Sequence, residues 1–296
     1  MVESLLIELA RLQVNDFGRL QLSATATFFG LCIVEGLLSR PRPPPKPTPD
    51  LVADMFYWLL IPSVRIVSRF VVVALLVLLA LPLGLEAGPS RFHGFGPLAR
   101  QPTILIAIEA LVLMDLAAYW GHRLFHTVPA LWKFHAIHHS AEHIRWSTTG
   151  RVHPVNEVIN YIVAVVPCFV IGLPLATVLP MVPIMVIYAV SAHTQWNPSF
   201  GPLKAIFASP RYHRWHHPMS HEGGNKNFAN LFSFWDRVFG TYYLPEDRVA
   251  TKFGLDDERI PENYLAQLMY PFRKSQDIEA RSAQEELRPR TVRSEG

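Results

Sequence analysis

Charge is what this chain has least of: 17% of its 296 residues are Asp, Glu, Lys or Arg, against about 25% in an ordinary globular domain. Half of the residues are hydrophobic, so the shortage argues against a conventional soluble enzyme. Net charge is equally thin. Lys+Arg 27 against Asp+Glu 24 leaves +3, without the concentrated basic face of a nucleic-acid-binding protein, and no nucleic-acid partner is expected. Cysteine occurs twice, at Cys32 and Cys168, both within apolar runs. That excludes a disulfide framework and a four-cysteine iron–sulfur cluster. A glycine-rich dinucleotide fingerprint is also missing. The N-terminus carries Glu3, Glu8 and Asp16 where a signal peptide would have a basic region and an apolar core, so the first apolar run is expected to be retained.

The apolar residues collect in stretches. Residues 20–38, 68–87 and 103–121 are each close to the roughly 20 residues that a helix needs to cross the hydrocarbon layer. A fourth stretch, 159–190, contains no charged residue and is punctuated by Pro167, Gly172, Pro174, Pro180 and Pro183. It reads as a helical hairpin turning near Gly172. Each leg has about 16 residues, or about 24 Å at 1.5 Å per residue, a length that leaves open whether it spans or dips and returns. Ser39–Leu51 is proline-rich and reads as an extended connector. Met55–Val67, with Arg65 and nearby Arg69, reads as an interfacial helix with snorkelling arginines.

The expected fold is therefore an all-α integral membrane protein with about four transmembrane helices, counting the hairpin, and a histidine-rich helical cap. Its expected divisions are 1–102 (membrane helices and connector), 103–245 (a catalytic domain) and 246–296 (a polar tail). Arg40, Arg42, Lys46, Arg65, Arg123, Lys133, Arg145 and Arg151 fall on one side of this topology, and Arg11, Arg19, Arg91 and Arg100 on the other. That excess places the cap in the cytoplasm.

Histidine is the residue in excess, 13 in all, and five of them fall within the 18 residues His122–His139. His122 and His126, in HRLFH, are spaced i, i+4, which puts both rings on one helix face. His135, His138 and His139 follow in HAIHH, and the same i, i+3, i+4 pattern returns 78 residues later as His213, His216 and His217 in HRWHH. A structural zinc site needs about four ligands, usually with cysteine. Eight histidines without nearby cysteine instead match two metal ions side by side, each with nitrogen ligands and an open position. Imidazole suits iron, zinc and copper alike, so spacing leaves the metal open.

The run Asp115, Tyr119, Trp120, His122, Arg123, His126, Trp132, His135, His138, His139 and Ser140 resembles the fatty acid hydroxylase and sterol desaturase superfamily of integral-membrane, non-haem di-iron enzymes. The second half agrees in Arg151, His153, Pro154 and Glu157, then His193, then SPRYHRWHH at 209–217, NKNFAN and FWDRVFGTYY. The resemblance covers residues 104–244, and the gaps between the first two histidine boxes are most like the alkylglycerol monooxygenase branch. It implies oxygen-dependent hydroxylation or desaturation of a lipid at a di-iron centre on the cytosolic face. The superfamily's ligand pattern falls on His122, His126, His135, His138, His139, His213, His216 and His217, with His193 in HTQWN as a ninth. Where some members carry a further histidine this chain has Asn197, which leaves His153 in RVHPVNE as the leading tenth ligand.

Two iron ions, replaceable by zinc, and dioxygen as co-substrate follow from the same resemblance. So do a membrane lipid substrate and a separate electron donor: a reductase, ferredoxin or cytochrome, or a reduced pterin as in alkylglycerol-type chemistry. Asp115 lies in the third span on the face of His122 and His126. A carboxylate there is costly unless paired, so it is expected to orient a ligand histidine, while Glu157 and Arg151 are expected to pair beside the metals. The alternatives are a membrane haem protein with paired axial histidines and a zinc-dependent membrane hydrolase.

Overall fold

The computed structural model describes residues 49–80, 93–218, 224–255 and 260–273, with isolated positions 26, 30 and 33. The predicted span at 20–38 and the tail beyond 273 lie outside the described residues. Among the described residues every regular element is helical.

Helix α1 (Pro49–Ala80) runs for 32 residues through Pro62. It joins what the sequence analysis separates, the interfacial helix Met55–Val67 and the following span, into one rod whose segment Asp50–Leu79 is long and apolar enough to cross a membrane. The end of the predicted connector, Pro49–Leu51, is its first turn. Arg65 does not stop the helix, because Glu157 from another helix meets its Nε at 3.1 Å.

Helix α2 (Thr103–Thr127) is the second candidate span. It ends because Pro129 pushes Val128 out of the helical region, to φ −101° and ψ 111°, and Pro129 then opens α3 (Pro129–His139). A 3₁₀ turn over Trp146–Gly150 leads to α4 (Pro154–Val170). The hairpin is present. After α4 the chain turns through Gly172, at φ +91°, where a Cβ would stand 2.4 Å from the Phe95 carbonyl, and Phe95 N–H donates to the Gly172 carbonyl at 2.9 Å. It returns as α5 (Leu175–Val178) and α6 (Met181–Ala192). Leu175–Ala192 is the third candidate span, whereas α4 is a shorter apolar helix. Among the described residues three helices thus meet the length and apolarity of a span, against the four expected with 20–38 included.

The start of α1, the end of α2, the start of α4 and the end of α6 lie at one end of this bundle, and the Phe95–Gly172 turn lies at the other. Val72, Leu76, Ile106, Ala110, Met114, Val165, Cys168, Val178 and Met185 form its core. Outward-facing Ile104, Ile108 and Ile187 are more than half exposed, as suits side chains turned toward lipid. The cap adds α7 (Pro210–Arg214), α8 (Phe234–Val238) and α9 (Tyr264–Met269).

Cap and bundle are locked by a buried ion-pair network. Arg151 reaches Asp54 with Nε at 2.6 Å and Asp50 with Nη1 at 2.8 Å, and Ser147 donates to Asp54 at 2.6 Å. Arg151 therefore pairs with α1 and not, as expected, with Glu157. Within the stretch from residue 246, Tyr270 and Pro271 are buried and α9 packs on Tyr57.

Candidate metal centre

Nine of the ten predicted ligands come together in two groups, within each of which the ligand atoms lie within 4.8 Å of one another. His122, His126, His135, His139 and His216 form one; His138, His193, His213 and His217 form the other. The two H-x-x-H-H motifs are divided between them in opposite senses. His135 and His139 join the five-histidine group while His138 points to the other; His213 and His217 join the four-histidine group while His216 crosses over. In the first motif, which lies within α3, helix geometry explains the split: at about 100° per residue, positions i and i+4 differ by about 40°, whereas i+3 swings about 60° to the other side. In the second, α7 ends at Arg214 and the turn that follows carries His216 across.

The outer ring nitrogens show which way the lone pairs face. Nδ1 of His122 donates to the Phe228 carbonyl at 2.8 Å, Nδ1 of His216 to the Lys226 carbonyl at 2.8 Å, and Nδ1 of His193 to the Ala189 carbonyl at 2.7 Å. His135 Nδ1 faces Asn156 Oδ1 at 2.9 Å. In each ring the proton is held outside and the Nε2 lone pair is aimed inward, the arrangement of a metal-binding imidazole. Around His193 the consequence is sharp. Its Nε2 lies 2.9 Å from that of His213, 3.1 Å from that of His217 and 3.2 Å from that of His138. One lone pair cannot accept three hydrogen bonds, but metal–nitrogen bonds of about 2.1 Å put neighbouring ligands about 3.0–3.4 Å apart. His126 (both ring nitrogens), His139 Nε2 and His216 Nε2 are buried without a hydrogen-bond partner. The nine side chains therefore fit metal.

Burial also keeps the rings neutral. Outside the spanning helices, desolvation first and neighbouring imidazoles second hold His138, His139, His213 and His217 well below 6.5. His193 is pushed down to about 4, chiefly by burial. Neutral imidazoles are the form that binds metal.

Three predicted residues stand elsewhere. His153 is not brought to either group: it caps α4, with Nδ1 accepting from Val155 N–H at 3.1 Å and Nε2 donating to the Leu268 carbonyl at 3.1 Å. Both of its ring nitrogens are engaged by backbone, so it has no lone pair to give. Asp115 touches no imidazole; its two oxygens accept the Leu231 and Phe232 amides, each at 2.8 Å. Glu157 pairs with Arg65, at the α1–α4 contact. Asn197 is exposed. Sequence reasoning missed Asn156, which orients His135, and Asp236, which is buried in the FWDR segment. The NKNFAN motif that supplies the Lys226 and Phe228 carbonyls was the available signal.

Helices long and apolar enough to span a membrane, beside two histidine groups that can hold metal, define the class: a membrane-type protein of the histidine-box kind. Residues 107–241 match the fatty acid hydroxylase family model. An ornithine lipid hydroxylase of Rhizobium tropici is 32% identical over 171 residues, covering 58% of this chain and 51% of that protein. Alkylglycerol monooxygenase of Danio rerio is 31% identical over 152 residues, 49% of this chain and 32% of that protein. A very-long-chain aldehyde decarbonylase of Oryza sativa is 30% identical over 135 residues, 44% of this chain and 49% of that protein. The chain thus matches about half the length of the first relative and a third of the second. No solved structure matches it.

Proposed function

We propose that this protein is an oxygen-dependent lipid hydroxylase or desaturase that holds two iron ions, one in each histidine group. The observation that carries the reading is the convergence of inward-facing Nε2 lone pairs in two adjoining groups of five and four. Bound iron supplies the oxidation of an unactivated C–H bond by dioxygen. The protein's own residues set the stage for it: the Ala189, Lys226 and Phe228 carbonyls fix the ring tautomers, and buried surroundings keep the imidazoles neutral. Exposed apolar faces of α2 and α6 bring a membrane lipid to the end of the bundle where these groups lie. Zinc fits the same nitrogens and is expected to occupy them without supporting the oxidation.

Inserting one oxygen atom and reducing the other to water consumes two electrons and two protons. The chain has no dinucleotide fingerprint, and a separate donor is part of the proposal, either a reductase, ferredoxin or cytochrome, or a reduced pterin. The cap is assigned to the cytoplasmic face from its surplus of Lys and Arg. The named activities of two relatives, an ornithine lipid hydroxylase and an alkylglycerol monooxygenase, favour hydroxylation of a polar membrane lipid. A haem reading fits poorly, because the nitrogens at 2.9–3.2 Å are neighbours on one side of a metal. Axial haem ligands stand about 4 Å apart on opposite faces.

The test is lipid profiling of cells with and without the gene, together with metal analysis and a visible spectrum of purified protein. Two irons per chain and a lipid that gains one oxygen, or loses two hydrogens, support the proposal. A Soret band, or tightly held zinc with no oxygen-dependent product, overturns it.

A further inference from the structure

Asp115 and Asp236 are fully buried acids that touch no imidazole, and both attach to one stretch of backbone, residues 226–232. Asp236 Oδ1 accepts from Phe228 N–H at 2.8 Å and from Thr241 Oγ1 at 2.7 Å; Oδ2 accepts from Ala229 N–H at 2.8 Å and from the Tyr212 hydroxyl. Four acceptances fill the capacity of one carboxylate. Asp115 takes the next pair of amides, Leu231 and Phe232. Just before these amides Asn227 sits at φ +58°, a conformation that Asn tolerates better than most side chains. Its amide is tied to the Tyr212 and Tyr243 carbonyls at 2.9 and 2.6 Å.

The strap so fixed turns its carbonyls toward the metal centre. Lys226 and Phe228, on either side of Asn227, accept the Nδ1 protons of His216 and His122. Both belong to the five-histidine group. The four-histidine group has no such contact among the described residues; its oriented ring, His193, uses the Ala189 carbonyl of α6.

We propose that Asp236 is a positioning residue for one metal ion only: by pinning the 226–232 strap it orients His122 and His216 and secures the ion of the five-histidine group. The proposal rests on the two-metal reading above. Losing an outer-sphere contact of this kind weakens metal binding by about 10–100-fold, and here the loss falls on one group.

The experiment counts iron on the full-length protein, purified in detergent, loaded anaerobically with ferrous iron and challenged with a chelator. Wild type is expected to retain about two irons and Asp236→Asn about one. Added to His213→Ala, which disables the four-histidine group, Asp236→Asn is expected to remove nearly all remaining iron. Added to His126→Ala, it is expected to remove no more. Tyr212→Phe, which removes the hydroxyl contact between Asp236 and the residue that precedes His213, is expected to keep both ions. Equal loss from both groups, or full retention by Asp236→Asn beside a two-iron wild type, overturns this proposal alone. A wild type that binds fewer than two irons overturns the two-metal reading and this proposal with it. Should Asp236→Asn fail to accumulate, Thr241→Val decides. It removes one bond to Oδ1, and faster release from the five-histidine group supports the proposal, while equal release from both overturns it.

Discussion

The two histidine groups have similar ligands and different supports. The five-histidine group is oriented from outside by Asn156 and by a loop that lies more than 100 residues downstream of His122 in sequence, whereas His193 in the four-histidine group is oriented by its own helix, through the Ala189 carbonyl four residues earlier. A support within one helix forms as soon as the helix does, since i to i−4 contacts are local. A support through a strap needs the tertiary fold. The difference teaches that one centre has a site built locally and a site built by assembly, and the two should respond differently to the same insult.

The most severe way to break that comparison is His193→Ala. His193 Nε2 is the point on which three other rings converge. Product formation is expected to fall by at least about 100-fold, with iron lost from the four-histidine group and kept in the other, as read by iron per chain; normal turnover would remove His193 from the centre. Arg151→Met comes next. It leaves Asp54 buried without its ion-pair partner, which costs about 3–5 kcal/mol. The 3₁₀ turn held by Arg151 carries Thr149, whose hydroxyl reaches the Ala189 carbonyl at 3.4 Å. Thermal unfolding in detergent is expected to shift down sharply, with iron released first from the four-histidine group; release in the reverse order would show that the local support does not depend on the cap.

Asn156→Ala sharpens the comparison from the other side. It removes the acceptor of His135 Nδ1 and is expected to weaken iron in the five-histidine group by about 10–100-fold, leaving the four-histidine group unchanged in the same chelator assay. The smallest effect belongs to His153→Asn. Asn keeps a helix cap but loses the contact to the Leu268 carbonyl, so both groups should keep their iron. Burial lowers the affinity of His153 for a proton below its ordinary 6.5, so the unfolded chain takes up that proton more readily. The stability His153 contributes is present above pH 6.5 and is lost as the pH falls below it. The difference in unfolding temperature between wild type and His153→Asn should therefore narrow from pH 7.5 to 5.5, and a constant difference would contradict the assigned role.

Much of the centre was legible in the sequence because its chemistry repeats. The i, i+4 pair His122/His126 and the two H-x-x-H-H motifs carry their geometry in their spacing, and the Pro167–Gly172–Pro174 punctuation marks the hairpin. What spacing could not give was the allocation of rings to groups, since helical angles fix relative directions and not which cluster lies in each direction. Asp115 and Arg151 were recognised as residues needing partners, yet their partners, the 231–232 amides and Asp50 with Asp54, lie 97 or more residues away along the chain in every case, and nothing local points to them. His153 was misread for a related reason: a histidine before a proline that opens a helix has the same letters whether it binds metal or caps α4. The continuity of α1 was hidden by Arg65 and Pro62, which interrupt the hydropathy of the run but not the helix.

The opposed division of the two H-x-x-H-H motifs has a further consequence for assembly. His138 and His139 are adjacent residues serving different groups, and so are His216 and His217. Whatever fixes one ring of such a pair also fixes the peptide from which its neighbour hangs. The two groups are thereby held side by side, since neither can shift without carrying a ligand of its neighbour. The spacing between the groups is thus set by two peptide units, one in each motif, and is written into the chain itself.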